Sequence, residues 1–340
     1  MPEALNRLDD ARPGRREEAL ALLDALQRRL PSPGPQRIGV TGAPGAGKSS
    51  LLDALVRRLR ARGETLGIVA VDPSSQRTGG ALLGDRVRVR ASAGDPGVFF
   101  RSMAARDRLG GLSDATRGGV VVLSAVFDRV FVETVGVGQS ETDVAALVDT
   151  LLYVAQPGAG DMLQFMKAGV LELPDVFVVN KSDLGPAARR TAGELEAGLG
   201  LGERAAEGAP GAGAADGTGP GAGAGSPAGA GASGRTCAWT PPVLLVSARD
   251  GAGLEALVDA LDRHRAHLAA SGELARRRRR GREAFVRDAL LRRYGSHGVE
   301  RVGGEEGLLA RLRRDEASSE FALLLALGRE VEEALRKPAP

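Results

Sequence analysis

Gly42-Ala43-Pro44-Gly45-Ala46-Gly47-Lys48-Ser49-Ser50 stands between an apolar run, 38–40, and a helix-forming run, 51–56. It matches the phosphate-binding loop G-x-x-x-x-G-K-[ST] at every fixed position, in the strand-to-helix context that this pattern requires. Unpartnered N–H groups at the helix start and the positive end of the helix dipole together attract an anion. Lys48 adds a charge for the outer phosphates, and the Ser49 hydroxyl is placed to ligate Mg²⁺. The regular flanks disfavour the alternative, a glycine-rich turn with an exposed lysine.

Short apolar runs alternate with longer periodic segments on the C-terminal side of this loop, as in βαβ units of a parallel sheet. We predict strands at 37–41, 65–71, 129–133, 150–155, 176–180 and 243–247. We predict helices between them at 48–62, 113–127, 141–148, 163–171, 186–199 and 254–268. The sequence thus predicts an α/β fold of the P-loop NTPase type, with helices on both faces of a mainly parallel sheet. Ligands of such sheets bind at the carboxyl ends of the strands.

Composition divides the chain into three predicted regions. Residues 1–35 contain an amphipathic helix, residues 36–269 form the P-loop domain, and residues 270–340 are helical. Within the central region, residues 203–239 consist largely of Gly, Ala, Pro and Ser. Such a segment buries too little apolar surface to offset its ordering entropy, so we predict a disordered insertion there.

The overall composition narrows the function classes. The 340 residues are 43% apolar, with 46 Lys plus Arg against 43 Asp plus Glu, a near balance that argues against a dedicated nucleic-acid binder. Cys237 is the one cysteine, so an intrachain disulfide framework is excluded and a reducing compartment is favoured. No apolar run has the length of a membrane span, and the acidic N-terminal segment is unlike a transit peptide. We therefore expect a cytoplasmic protein without a membrane partner.

A second motif, Asn180-Lys181-Ser182-Asp183, directly follows an apolar strand. In this N-K-x-D pattern the Asp183 carboxylate can accept hydrogen bonds from N1 and N2 of guanine, Asn180 can reach O6 or N7, and Lys181 can lie along the base. Adenine lacks matching donors, and two lost bonds would favour guanine by about a hundredfold or more. Ser247, Ala248 and Arg249 follow a later strand, where backbone N–H groups can hold the guanine O6. Taken alone, this last motif is weak.

A third motif resembles a nucleotide switch. Glu133 ends a predicted strand and Gly136 follows three residues later, so the carboxylate can orient Mg²⁺ or its water and the glycine N–H can sense the γ-phosphate. The small-GTPase pattern has Asp at the position of Glu133 and Gln at the position of Val137. Gln139 is therefore a candidate for orienting the attacking water, and slow intrinsic hydrolysis is expected. An ordinary strand-to-helix glycine turn is the alternative.

Further sequence blocks lie outside these generic motifs and occur in a specific order. They are Val71–Ser75, Thr78–Arg86, Arg101–Arg106, Leu109–Leu112, Val132–Glu141 and Gln156–Asp161. Together they resemble the methylmalonyl-CoA-mutase-associated GTPase family, also called MeaB/ArgK, of the SIMIBI class of P-loop GTPases. The resemblance covers most of residues 37–247. Asp107, where the family usually has Gly, and the Gly/Ala-rich insertion depart from the family pattern.

This resemblance implies a homodimeric GTPase chaperone that binds GTP or GDP with Mg²⁺. Its implied client is an adenosylcobalamin-dependent acyl-CoA mutase, whose cofactor delivery it gates and which it protects or reactivates. The resemblance also implies that Asp72 and Asp85 join Ser49 and Glu133 around Mg²⁺. It further implies that residues 156–167 form a switch facing the mutase and that the C-terminal helices form a dimerisation arm.

Three other functions remain open from the residues alone. A nickel-type metallochaperone GTPase would need a Cys/His cluster, which the sequence lacks; a kinase of transport-binding proteins would transfer phosphate to a protein; a scaffold would bind GTP without hydrolysis. His264 and His267 stand three residues apart on a predicted helix, a possible metal pair that we interpret as exposed helix residues. The arginine run Arg276–Arg280 is interpreted as a solvated helix face.

Overall fold

Seven parallel strands form one sheet. The computed structural model describes residues 2–8, 14–73, 94–105, 114–134, 139–158, 173–207, 238–315 and 318–336. The strands, in order along the chain, are β1 Gln36–Thr41, β2 Leu66–Pro73, β3 Val98–Ala105, β4 Arg129–Thr134, β5 Thr150–Ala155, β6 Val176–Val179 and β7 Val243–Leu245. Their spatial order is β3-β2-β4-β1-β5-β6-β7, and every pairing is parallel.

Ten helices flank or extend this sheet in the described ranges. They are α1 Pro2–Leu8, α2 Arg15–Gln27, α3 Lys48–Ala61, α4 Asp114–Ser124, α5 Gln139–Ala145, α6 Pro186–Glu207, α7 Leu254–Ala270, α8 Glu273–Glu300, α9 Gly304–Arg314 and α10 Glu320–Arg336. A short 3₁₀ helix, Ser182–Leu184, precedes α6. Helix α8 kinks at Gly295, where φ is 68° and ψ is 178°. None of these helices combines the length and apolar character needed to cross a membrane.

Two apolar cores cover the faces of the sheet. Helices α3 and α7 pack on one face, where Leu51, Leu55 and Leu257 are fully buried. Helices α4 and α5 contribute to the opposite core, which includes Val120 and Val144. Because both faces are covered, every residue of the central strands β1, β4, β5 and β6 is buried, and most of these residues are apolar. The predicted three-layer P-loop NTPase architecture is confirmed.

The first edge strand, β3, was not predicted from the sequence. It follows a turn and mixes buried Val98 and Met103 with the half-exposed polar side chains of Arg101 and Ser102. Arg101 and Ser102 interrupt β3, so it lacks the continuous apolar run that predicted the other six strands, including the second edge strand, β7. The predicted helix 163–171 lies outside the described residues.

The predicted insertion is too long at both ends. Helix α6 continues to Glu207, since Glu203–Glu207 consists of strong helix formers. At the other end, the half-buried Trp239 donates its indole N–H to the Asp175 carbonyl at 2.8 Å. Residues 208–237 lie outside the described residues.

Helices from both ends of the chain share a third core with α4. It joins α1 and α2 to the C-terminal helices through the buried side chains of Leu5, Leu20, Leu23, Val121, Val122, Val286, Leu290, Phe321 and Leu324. Helix α8 also lies directly against the turn after α5, where a Cβ added to Gly281 would fall 2.1 Å from the Ala146 carbonyl oxygen. The C-terminal helices therefore pack on the P-loop domain of their own chain.

Two members of the arginine run are only partly solvated and form ion pairs with buried acids, contrary to our interpretation. Arg277 donates to both Asp175 oxygens at 2.8 Å, and Arg278 donates to both Asp149 oxygens at 2.8 and 2.7 Å. Asp149 and Asp175 are buried immediately before β5 and β6. These carboxylates offset the desolvation of the two guanidinium groups and fix the start of α8 to the amino edge of the sheet.

His264 is likewise not exposed. Its ring is fully buried, with Nδ1 2.9 Å from the Thr150 hydroxyl and Nε2 3.3 Å from an Asp175 oxygen. Helix α7 packs its apolar face on the sheet, and His264 lies on that face. In the described part of the chain no group of three or more His, Cys, Asp or Glu residues could hold a metal ion.

A buried ion pair joins α4 to α10, and its removal should destabilise the protein. Arg117 Nε donates to Glu320 Oε1 at 2.7 Å, and both side chains are at least nine-tenths buried. Truncation of Glu320 to alanine would leave Arg117 as an uncompensated buried charge. We expect Glu320→Ala to lower the free energy of unfolding by about 3–5 kcal/mol at neutral pH, measured by urea denaturation.

This loss should depend on pH. Burial is the largest single influence and would raise the pKa of Glu320. The charge of Arg117 and its hydrogen bond, together with the charge of Arg37 and the bond from Gln27, outweigh burial and lower the pKa below the ordinary 4.5. The stabilisation is therefore complete above pH 4.5 and is lost as the pH falls through the folded-state pKa, so variant and wild type should converge in acid. Glu330→Ala, which removes the exposed pair with Arg311, is the control and should cost about 1 kcal/mol or less. Equal losses from the two variants would contradict the prediction.

Candidate functional site

The loop between β1 and α3 has the conformation that binds phosphate. Gly42, Gly45 and Gly47 have φ values of 140°, 80° and 86°, which side chains other than hydrogen rarely permit. A Cβ at Gly42 would fall 2.1 Å from the Val154 carbonyl oxygen. The chain then enters α3 directly at Lys48. The loop is thus held against β5 with the first N–H groups of α3 at its centre.

The Lys48 side chain is hydrogen-bonded to the backbone of this loop. It is buried, and its Nζ donates to the carbonyl oxygens of Gly42 at 2.7 Å and Ala43 at 3.1 Å. These contacts hold the ammonium group over the loop. A phosphate group bound there would meet both the lysine charge and the helix N–H groups.

Ser49 and Glu133 lie together beside the loop. The Ser49 hydroxyl donates to Glu133 Oε1 at 2.6 Å, and Glu133 is buried near the carboxyl end of β4. Strand β4 neighbours β1, and hydroxyls of Thr134 and Thr41 lie 3.1 Å apart across the pair. A hydroxyl and a carboxylate are the hard oxygen ligands that Mg²⁺ takes, so Ser49 and Glu133 fit this ion.

Asn180 connects the phosphate loop to the predicted guanine loop. It is 1% exposed, and its amide donates to the carbonyl oxygens of Ala46 at 2.9 Å and Gly47 at 3.3 Å. Its Oδ1 accepts from the Ala248 N–H at 3.3 Å. One side chain therefore fixes the relative position of three loops, a role that the sequence motif does not reveal.

Lys181 and Asp183 continue this arrangement. Lys181 has φ 59°, a left-handed conformation, and its Nζ donates to the Gly45 carbonyl at 2.9 Å and to the Gln156 Oε1 at 3.4 Å. The Asp183 carboxylate accepts from the Ser247 hydroxyl at 3.1 Å. The exposed Arg249 lies 3.8 Å from Asp183, a surface pair of little energetic value. Asp183 is thus oriented by Ser247.

Most of the predicted site residues therefore converge at the carboxyl edge of the sheet. Asp72 lies at the end of β2, which neighbours β4, and Gln139 begins α5. Asp85 and Gly136 lie outside the described residues, as does the predicted switch beyond Gly158. The sequence assigned Gln156 only to the implied switch 156–167, and it did not single out the Thr41–Thr134 contact. Their positions directly after or at the ends of central strands were the available signal.

Gly47→Ala should weaken nucleotide binding. The added Cβ would require φ 86° and would lie 2.5 Å from Asn180 Nδ2, so the link between the two loops would have to shift. We expect at least a tenfold rise in the GDP dissociation constant, measured by calorimetry. Gly63→Ala is the matched control, because Gly63 has φ 83° just after α3 but no atom within 4 Å of its added Cβ. The Gly63→Ala variant should lose about 1 kcal/mol of its free energy of unfolding and should bind GDP with wild-type affinity. Equal affinity losses would refute this account.

A phosphate loop, an adjoining Ser–carboxylate pair and an N-K-x-D loop on one parallel sheet define a GTPase of the P-loop class. The family model described as methylmalonyl-CoA mutase-associated GTPase MeaB matches residues 1–297. The chain belongs to this family, as the sequence blocks indicated, and it is a GTPase.

Several known proteins are similar over most of the chain. A probable GTPase of Mycobacterium tuberculosis is 40% identical over 305 residues, which cover 87% of this chain and 81% of that protein. The mouse mitochondrial methylmalonic aciduria type A homolog is 31% identical, covering 87% of this chain and 68% of that protein. A crystal structure of an LAO/AO transport system kinase has a TM-score of 0.62 at 24% identity, covering 99% of this chain and 92% of that one. This last likeness supports the fold alone.

Proposed function

We propose that this GTPase is a chaperone of an adenosylcobalamin-dependent acyl-CoA mutase of the methylmalonyl-CoA mutase type. It gates delivery of the cofactor to the mutase and protects or reactivates it. The observation that carries the proposal is the family match over residues 1–297, in a chain whose loops have GTPase geometry. The mouse relative is named a methylmalonic aciduria type A homolog, and this reference to methylmalonate supports the same client.

The phosphate end of the site would position GTP for hydrolysis. The N–H groups of the loop and the Lys48 ammonium would stabilise the charge that develops on the phosphates. Ser49, Glu133, Asp72 and Asp85 would hold Mg²⁺, which adds further charge stabilisation when bound. Gln139, at the start of α5, would orient the attacking water.

The guanine end would select the base. Asp183, oriented by Ser247, would accept from N1 and N2 of guanine, and Lys181 would lie along the ring. Ala248 and Arg249 would complete the pocket, with backbone N–H groups close to O6. Asn180 supports both ends because it already contacts the phosphate loop and Ala248.

The output of hydrolysis would be conformational. Glu133 ends β4 just before α5, and the turn after α5 contacts α8 at Gly281. A change in the γ-phosphate contacts can therefore pass through α5 to the C-terminal helices. We propose that residues 270–340, besides packing on their own P-loop domain, form the dimerisation region of a homodimer.

A pull-down tests the client. The purified chain is mixed with a purified adenosylcobalamin-dependent mutase in the presence of GDP, and again with a non-hydrolysable GTP analogue. Capture that differs at least severalfold between the two nucleotides supports the proposal. Failure to capture any such mutase with either nucleotide contradicts it, whereas GTP hydrolysis alone is expected in either case. A kinase of transport-binding proteins would instead transfer labelled γ-phosphate to a protein acceptor.

A further inference from the structure

A cavity of about 600 Å³ lies at the amino edge of the sheet, on the opposite side from the phosphate loop. Its walls are the segment after α2, the start of β1, the turn between α5 and β5, and the first turns of α8. This volume is typical of sites for small molecules. The cavity shares no lining residue with the candidate nucleotide site.

The wall of this cavity is strongly cationic. Seven arginines line it: Arg37, Arg117, Arg276, Arg277, Arg278, Arg279 and Arg282. Among the described residues, Glu320 is the only acidic residue in the wall, and it pairs with Arg117 at 2.7 Å. Three carboxylates outside the lining, Asp175, Asp149 and Glu273, pair with Arg277, Arg278 and Arg276, respectively. The seven arginines still outnumber these four carboxylates, so the field inside the cavity favours an anion.

Several of these arginines are held rigidly. Behind the wall, Asp175 accepts two hydrogen bonds from Arg277. Asp149 accepts two hydrogen bonds from Arg278. Arg278 also donates to the carbonyl oxygens of Pro33 and Pro35. Because these side chains are already ordered, an incoming ligand would not have to immobilise them, which reduces the entropic cost of binding.

Arg37 differs from these paired arginines. Its side chain enters the cavity wall from β1 and the residue is 8% exposed. Its Nε donates to the Ser124 hydroxyl at 3.3 Å, and it forms no salt bridge within the described residues. Asp149 and Glu320 act on it only at longer range, while Arg278 repels it. A buried guanidinium group normally has a close anionic partner, so Arg37 is incompletely compensated.

The electrostatic balance agrees with this geometry. Burial, followed by repulsion from Arg278, lowers the pKa of Arg37 to about 10. The group remains charged at neutral pH. An anion in the cavity would supply the charge that Arg37 lacks.

We propose that this cavity binds a phosphate-bearing small molecule, with Arg37 of β1 and Arg276 of α8 as ligands. A phosphate dianion carries two charges in a small volume and can accept from several planar guanidinium groups at once. A monocarboxylate offers half the charge. Binding would join β1 to α8 and so stabilise the docked position of the C-terminal helices.

Calorimetry with 3-phosphoglycerate as the probe tests this proposal. The full chain is first saturated with GDP and Mg²⁺, so that the phosphate loop is filled. We expect one site per chain, with a dissociation constant below about 1 mM. Inorganic phosphate alone should bind more weakly, and glycerate, which lacks the phosphate and carries one carboxylate, should bind at least tenfold more weakly than the probe. Absence of binding, or glycerate that binds as tightly as the probe, would overturn the proposal.

Three variants locate the site. Arg37→Gln removes the buried charge and should raise the dissociation constant of the probe at least tenfold. It should not lower the unfolding temperature of the ligand-free protein. Arg276→Gln changes an exposed wall residue and should weaken binding of the probe severalfold. This variant tests the site even if Arg37→Gln does not fold. Arg280→Gln is the matched control, since Arg280 belongs to the same run, is 64% exposed and does not line the cavity. Wild-type affinity in the first two variants, or an equal loss in the control, would refute the site.

Discussion

Lys48→Ala should lower the GTP hydrolysis rate of this protein by at least about a hundredfold. The ammonium group now lies 2.7 Å from the Gly42 carbonyl and 3.1 Å from the Ala43 carbonyl, directly over the loop where the outer phosphates would bind. Removal of one preorganised charge or donor from a site of this kind typically costs a factor of about 10²–10³ in turnover. Single-turnover release of phosphate from GTP measures the effect.

A control variant must show that the lower hydrolysis rate comes from loss of the Lys48 charge and not from a disturbed helix α3. Arg57→Ala serves this purpose, because Arg57 lies on the same helix, is 63% exposed and pairs only with its helical neighbour Asp53 among the described residues. This variant should hydrolyse GTP at close to the wild-type rate. Lys48→Ala that retains more than a tenth of wild-type turnover would remove Lys48 from the proposed mechanism.

Local motifs explain why so much of this site was predictable. The residues from Gly42 to Ser50 and from Asn180 to Asp183 are contiguous, so their chemistry can be inferred without knowledge of tertiary contacts. The alternation of apolar runs then placed both motifs after parallel strands, whose carboxyl ends share one edge. Five of the six predicted strands are central and carry the apolar residues that burial on both faces requires. The sixth, the edge strand β7, was predicted from its own apolar run.

Contacts between distant segments explain what the sequence did not show. Asn180 was assigned to the base alone, yet its amide is bonded to Ala46 and Gly47. No local pattern pairs a residue after β6 with the loop after β1. The same is true of the arginine run, in which Arg277 and Arg278 find carboxylates at the start of β6 and β5. A run of like charges predicts exposure only when no buried acid lies within reach.

His264 illustrates a related limit. On a helical projection its polar ring suggests the solvent face, but neighbouring apolar residues of α7 place it on the sheet, beside Thr150 and Asp175. A buried imidazole is tolerated where polar partners stand at the strand starts. Helical periodicity located the helix correctly and gave no information about those partners.

Asp183→Ala should abolish the preference for GTP over ATP. The Ser247 hydroxyl orients the carboxylate at 3.1 Å. In the proposed function this carboxylate would accept hydrogen bonds from N1 and N2 of guanine. Two hydrogen bonds to a charged acceptor contribute at least about 3 kcal/mol together. Their loss should raise the dissociation constant for GTP by about a hundredfold or more, while the constant for ATP changes little.

Asp183→Asn tests whether base selection depends on the carboxylate charge or on the shape of the side chain. The amide retains the size of the side chain and can still bond to Ser247, but it presents one donor where the carboxylate presents only acceptors. Guanine should therefore bind poorly, whereas xanthine, which has a carbonyl in place of the 2-amino group, should bind better to the variant than to the wild type. Competition against labelled GDP measures both bases. A variant that still prefers guanine over xanthine to the wild-type extent would show that the base is selected elsewhere, because only a group contacting position 2 of the ring can reverse that preference.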